Sequence, residues 1–172
     1  MKVYDGRPDA QAQADAARVK VGIAEYEVTT DGADLTTSGL GSCLGVGLYD
    51  PEAGVAGLVH VMLPTADDGT DSNAAKFADT GIAALIEEME AAGADAARLR
   101  AKVAGGSDML DFSENGSGIG VRNAEQVAAT LAEFDVPIVG EDVGGDHGRS
   151  LRLRGDTGEL VVKSANAGET IL

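Results

Sequence analysis

Two mostly apolar runs dominate the middle of the chain, Leu44-Gly45-Val46-Gly47-Leu48-Tyr49 and Val55-Ala56-Gly57-Leu58-Val59-His60-Val61-Met62-Leu63, with Asp50-Pro51-Glu52-Ala53-Gly54 between them. Runs this short, bounded by Asp, Pro and Gly, predict two buried strands of an antiparallel hairpin. Upstream, residues 18–28 alternate, with Val19, Val21 and Ile23 on one face, which predicts a strand. Asp31-Gly32 then marks a turn, and residues 33–37 form a short second strand. Downstream, Ile82, Leu85, Ile86 and Met89 recur at helical spacing within 74–92, with Gly93 as the stop and with Phe77 and Met89 in the core.

Residues 99–104 predict a buried strand that Gly105-Gly106-Ser107-Asp108 breaks. A second helix is expected from a cap at Asn123, with Gln126 three residues on and Val127, Leu131 and Phe134 along one face. Residues 136–139 begin another strand and 141–148 read as an acidic, Gly-rich turn. The stretches 150–154 and 159–163 pair as a terminal hairpin through Gly155-Asp156-Thr157-Gly158. Many strands with two helices predict the α+β class, helices packed on sheet.

A length of 172 residues suits one domain, and 44% hydrophobic with only 3% aromatic residues points to a core of Val, Leu, Ile and Ala. Residues 1–17 are polar and Ala-rich with no apolar stripe, so a flexible tail is expected there. The folded domain is placed at 18–164, with a second tail at 165–172.

Thirteen Lys and Arg against 29 Asp and Glu give a formal charge of −16, which argues against binding nucleic acid or an anionic membrane through a general field. Acids spread along the whole chain read first as a solvated surface kept soluble by charge, and because they repel one another a salt-rich cytoplasm that screens them is a further expectation. Gly, Asp and Glu interrupt every apolar stretch, so neither a signal peptide nor membrane insertion is expected, and the protein is placed in the cytoplasm. One cysteine excludes an internal disulfide. With two histidines, His147 among them in the acidic turn, a zinc site is poorly supported and no metal or cofactor is expected. Gly116-Ser117-Gly118-Ile119-Gly120 lacks both the lysine of a phosphate loop and the full dinucleotide fingerprint.

Chemistry concentrates at Cys43, which opens the first run behind the approach Thr37-Ser38-Gly39-Leu40-Gly41-Ser42. Antiparallel pairing brings His60 beside it, since the midpoint of 43 and 60 falls inside the turn. A thiol with a pKa near ~8.5 is mostly protonated at neutral pH, and an imidazole neighbour takes that proton. The alternative is a small buried thiol and a hydrogen-bonded core histidine.

The segment 37–43, Leu48-Tyr49-Asp50 and His60-Val61-Met62-Leu63-Pro64 resemble the chemoreceptor glutamine deamidases of chemotaxis, the CheD family. So do Lys76-Phe77-Ala78-Asp79-Thr80, Lys102-Val103-Ala104-Gly105-Gly106, Gly120-Val121-Arg122-Asn123, Glu141-Asp142-Val143-Gly144-Gly145 and Asp156-Thr157-Gly158. Together with the acidity, the likeness points to a halophilic archaeon. It implies an α/β/β sandwich that hydrolyses glutamine side chains on receptor cytoplasmic domains, with Cys43 as nucleophile, His60 as base and Thr37 as third member. Thr37 would orient the imidazole through its hydroxyl or its backbone oxygen, and the backbone N–H groups of Ser42 and Cys43 are the oxyanion candidates. The resemblance further implies removal of receptor methyl esters and a CheC-type phosphatase as partner. Phe77 and Val121 depart from the family's usual tyrosine and glutamate. A non-catalytic adaptor for that phosphatase is the competing reading, and a cysteine protease a more distant one.

Overall fold

The computed structural model describes residues 18–66, 72–108, 118–165 and 168–172, so the expected tail at 1–17 and residues 116 and 117 of the glycine-rich stretch lie outside it. Ten strands are described: β1 (Arg18–Lys20), β2 (Tyr26–Thr29), β3 (Asp34–Leu40), β4 (Leu44–Asp50), β5 (Val55–Val61), β6 (Arg100–Gly105), β7 (Ile138–Val143), β8 (Arg149–Leu153), β9 (Leu160–Ser164) and β10 (Gly168–Ile171). Two α-helices accompany them, α1 (Ala78–Ala91) and α2 (Ile119–Glu133). The strands form two five-stranded sheets, in the orders β1-β3-β8-β9-β10 and β2-β5-β4-β6-β7. Among the described strands only the β1–β3 and β6–β7 pairs are parallel.

Alternation along β4 and β5 builds the layers. Leu44, Val46, Leu48, Val55, Val59 and Val61 face the helices and join Ile82, Leu85, Met89, Val127 and Leu131 in one core. On the opposite face Ala56 and Leu58 join Leu35, Leu40, Leu151, Leu153 and Leu160 between the sheets. Each fully buried leucine contributes about 1.5–3 kcal/mol relative to exposure, so both interfaces are substantial. The small residues of β4 have a packing cause: a side chain at Gly45 would run into Leu151, and one at Gly47 would press on Leu153. Helices, then one sheet, then the other make the α/β/β sandwich of the α+β class, as expected.

Several local readings change. The stretch 18–28 is not one strand, because the chain turns between β1 and β2, with Ala24 at φ 61 and Glu25 accepting the Gly22 N–H at 2.9 Å. That turn leaves Ile23 exposed. Asn123 does not cap α2, whose N-cap is Gly118, and Phe134 ends the helix at the surface instead of packing on its face. The strand begun near 136 continues to Val143, so the acidic turn is shorter than 141–148. Residues 168–171, read as tail, form β10 and pair antiparallel with β9.

Candidate functional site

β3 carries an irregularity between Thr37 and Leu40, where Gly39 takes φ 76, and then the chain crosses through residues 41–43 into β4 in the other sheet. Thr37 is buried on the side of β3 that faces the second sheet, and His60 is fully buried on the facing side of β5. Their side chains meet across the gap, with Thr37 Oγ1 2.8 Å from His60 Nδ1. Of the two expected routes, hydroxyl or backbone oxygen, the hydroxyl makes the contact. Burial lowers the imidazole pKa, which keeps the ring neutral.

Cys43 is half-buried at the start of β4 and packs against the core between the sheets, the same layer that holds His60. The register differs from the sequence arithmetic: the residue opposite His60 is Gly45, two positions beyond Cys43. Because side chains alternate with period two, this even shift leaves Cys43 and His60 on one face as diagonal neighbours. Burial raises the thiol pKa, while the residue's own backbone N–H acts in the opposite sense. Burial thus favours the uncharged form of both groups.

Buried polar atoms without a hydrogen-bond partner are few in proteins and need a cause. Among the described residues they are His60 Nε2, Ser107 Oγ, Asn123 Oδ1 and Arg149 Nε. Two of these residues bond the Cys43 segment directly, and Arg149 lies beside it. Ser107 N–H donates to Gly41 O at 2.9 Å, Asn123 Nδ2 donates to Ser42 O at 2.9 Å, and Arg149 reaches Gly105 O at 3.4 Å beside the Gly106 N–H that donates to Cys43 O. The backbone carbonyls of residues 41–43 are thus held by Ser107, Asn123 and Gly106. With Nδ1 donating to Thr37, His60 Nε2 is a proton acceptor that has no partner among the described residues.

Of the two oxyanion candidates, the Cys43 N–H belongs to the residue that carries the sulfur. Asn123, Ser107 and Arg149 were not singled out from the sequence as site residues. The signal for Asn123 is its place on the buried stripe Asn123, Val127, Leu131 of α2. His147 lies in the segment after β7, half-buried and 3.9 Å from Asp146. Among the described residues no three His, Cys, Asp or Glu side chains gather as a metal site would require, and no helix is long and apolar enough to cross a membrane.

The family described as CheD chemotactic sensory transduction matches residues 62–164. A protein of Haloarcula marismortui named probable chemoreceptor glutamine deamidase CheD is 62% identical, with 100% of both chains covered. One of the same name from Natronomonas pharaonis is 45% identical over 94% of this chain and 97% of its own. The chemoreceptor glutamine deamidase CheD of Halalkalibacterium halodurans is 43% identical over 88% of this chain and 96% of its own.

Proposed function

The chain belongs to the CheD family, and we propose that it hydrolyses the side-chain amide of glutamines on chemoreceptor cytoplasmic domains, giving glutamate and ammonia. Its relatives carry the name of that activity over nearly their full length. The observation that carries the mechanism is the buried pair of Thr37 and His60, which leaves Nε2 unpartnered on the face shared with Cys43.

The thiol proton passes to His60 Nε2 as Sγ attacks the carboxamide carbon. Thr37 Oγ1 accepts the Nδ1–H, fixes the tautomer that leaves Nε2 free, and stabilises the imidazolium that forms. Negative charge on the former carbonyl oxygen is met by the Cys43 backbone N–H. The C–N bond then breaks, His60 returns the proton, and ammonia leaves a thioester on Cys43. Water gives a proton to His60 and attacks the thioester, releasing the glutamate side chain and restoring the thiol. A receptor glutamyl methyl ester enters the same cycle with methanol as leaving group, which is the basis for a second, methylesterase activity. Family membership also supports a CheC-type phosphatase as a regulatory partner and the cytoplasm as the place of action.

The test is mass spectrometry of a receptor cytoplasmic domain before and after incubation with the enzyme. Conversion of specific glutamines to glutamate supports the reading. A receptor left unmodified while the protein binds the phosphatase would favour an adaptor.

A further inference from the structure

Asn123 is completely buried inside α2, yet both of its amide hydrogens are spent on the site. Nδ2 donates to Ser42 O at 2.9 Å and to Met62 O at 2.8 Å. One carbonyl immediately precedes Cys43 and the other follows His60 by two residues, so a single side chain ties together the two strand ends that carry the reactive pair. The helix gets this close because its first turn has no side chain at Gly120, where a Cβ would strike the Gly106 and Ser107 carbonyls.

The bond to Ser42 has a directional consequence. All peptide bonds among the described residues are trans, and in a trans peptide the C=O and the following N–H point in opposite directions. α2 packs on the helix-side core of the β2-β5-β4-β6-β7 sheet, whereas Cys43 packs on the core between the sheets. A Ser42 carbonyl drawn toward α2 therefore turns the Cys43 N–H toward the layer that holds the sulfur. Its influence on its own thiol agrees with that orientation. The oxyanion forms on the carbon bonded to that sulfur, so an N–H aimed into the sulfur's layer is placed to meet it.

We infer that Asn123 is a positioning residue for the oxyanion site, holding the Ser42–Cys43 peptide with its N–H aimed at the tetrahedral intermediate. The inference rests on the thiol mechanism above. It predicts a selective defect: acyl transfer needs the oriented N–H, whereas alkylation of the thiol by iodoacetamide forms no oxyanion and does not.

In Asn123→Ala and Asn123→Asp, kcat for deamidation should fall about 100-fold, with KM and the rate and pH profile of Cys43 alkylation within about threefold of wild type. Thr130→Val, a buried polar change in the same helix, should leave both rates near wild type. Deamidation and alkylation falling together would reduce Asn123 to a structural strut and overturn the inference, as would unchanged deamidation. If neither variant folds, the wild type decides. The single cysteine gives one ¹⁵N-cysteine amide signal, and an aldehyde analogue of glutamine that adds to Cys43 should move its proton strongly downfield. Adduct formation without that shift overturns the inference. Should Cys43→Ala itself keep full deamidation, the thiol mechanism fails. Should it be inert while the Asn123 variants stay active, only the present inference fails.

Discussion

Thr37 and His60 belong to different sheets, yet Thr37 Oγ1 lies 2.8 Å from His60 Nδ1 in the layer where both are buried. A hydrogen bond across the sandwich ties the orientation of the imidazole to the packing of the two sheets. Thr37→Val keeps the shape and removes the hydroxyl. The variant should fold as wild type and lose about 10- to 100-fold in kcat, because the ring loses its fixed tautomer and the partner of its charged form. Steady-state ammonia release against receptor domain checks this; Thr37→Ser should recover much of the loss.

The two shifts at the site make the pH dependence informative. His60 titrates below its ordinary value and Cys43 above its own, both through burial. With His60 as the proposed base, the acid limb of kcat/KM should lie under about pH 6.5. Thiolate forms late, so iodoacetamide alkylation of Cys43 in the free enzyme should keep rising beyond about pH 8.5. A rate already level at pH 6 would indicate a thiolate–imidazolium pair instead.

Stability has its own anchor away from the site. The Asp50 carboxylate is fully buried, accepts from Glu52 N–H, Ala53 N–H and Asp95 N–H, and pairs with Arg98 Nε at 2.9 Å. The guanidinium beside it holds its carboxyl well below the usual range. A depressed folded-state pKa contributes stability above the unfolded value near ~3.9 and loses it as pH falls. Asp50→Asn should cost about 3 kcal/mol at pH 7, roughly 6–12 °C in Tm, and the gap to wild type should narrow below about pH 4. Melting curves of both proteins across pH measure it.

The formal charge of −16 makes a salt prediction. Repulsion among carboxylates is screened as the Debye length falls from about 10 Å at 0.1 M to about 3 Å at 1 M salt. Tm should therefore rise continuously with KCl over that range and beyond. A melting curve indifferent to KCl would remove charge repulsion as a determinant of this fold's stability.

Much of this architecture is written locally in the chain. The β4–β5 hairpin is legible because continuous apolar runs end at Asp50-Pro51-Glu52-Ala53-Gly54, and its turn closes with Gly54 N–H on Asp50 O at 2.9 Å. That closure pairs Asp50 with Val55, which moves the register two residues from the simplest estimate. An even slip preserves the face, so the shared layer of Cys43 and His60 survived an error in their pairing. Asn123 misled for a different reason: Asn with Gln126 three residues on imitates a helix start. Only the third dimension shows it spending its donors on Ser42 and Met62. The last strand was hidden because all four residues of β10 are exposed, leaving no apolar pattern to read.

Acid-quenched mass spectrometry of the enzyme during turnover of a receptor glutamine peptide, run in parallel on Cys43→Ala, addresses the covalent role of the sulfur most directly. A thioester mechanism predicts a wild-type adduct of enzyme plus peptide less ammonia on the fragment containing Cys43. It predicts neither adduct nor glutamate formation with the variant, at an unchanged circular dichroism spectrum. Glutamate appearing at the wild-type rate with Cys43→Ala would contradict it.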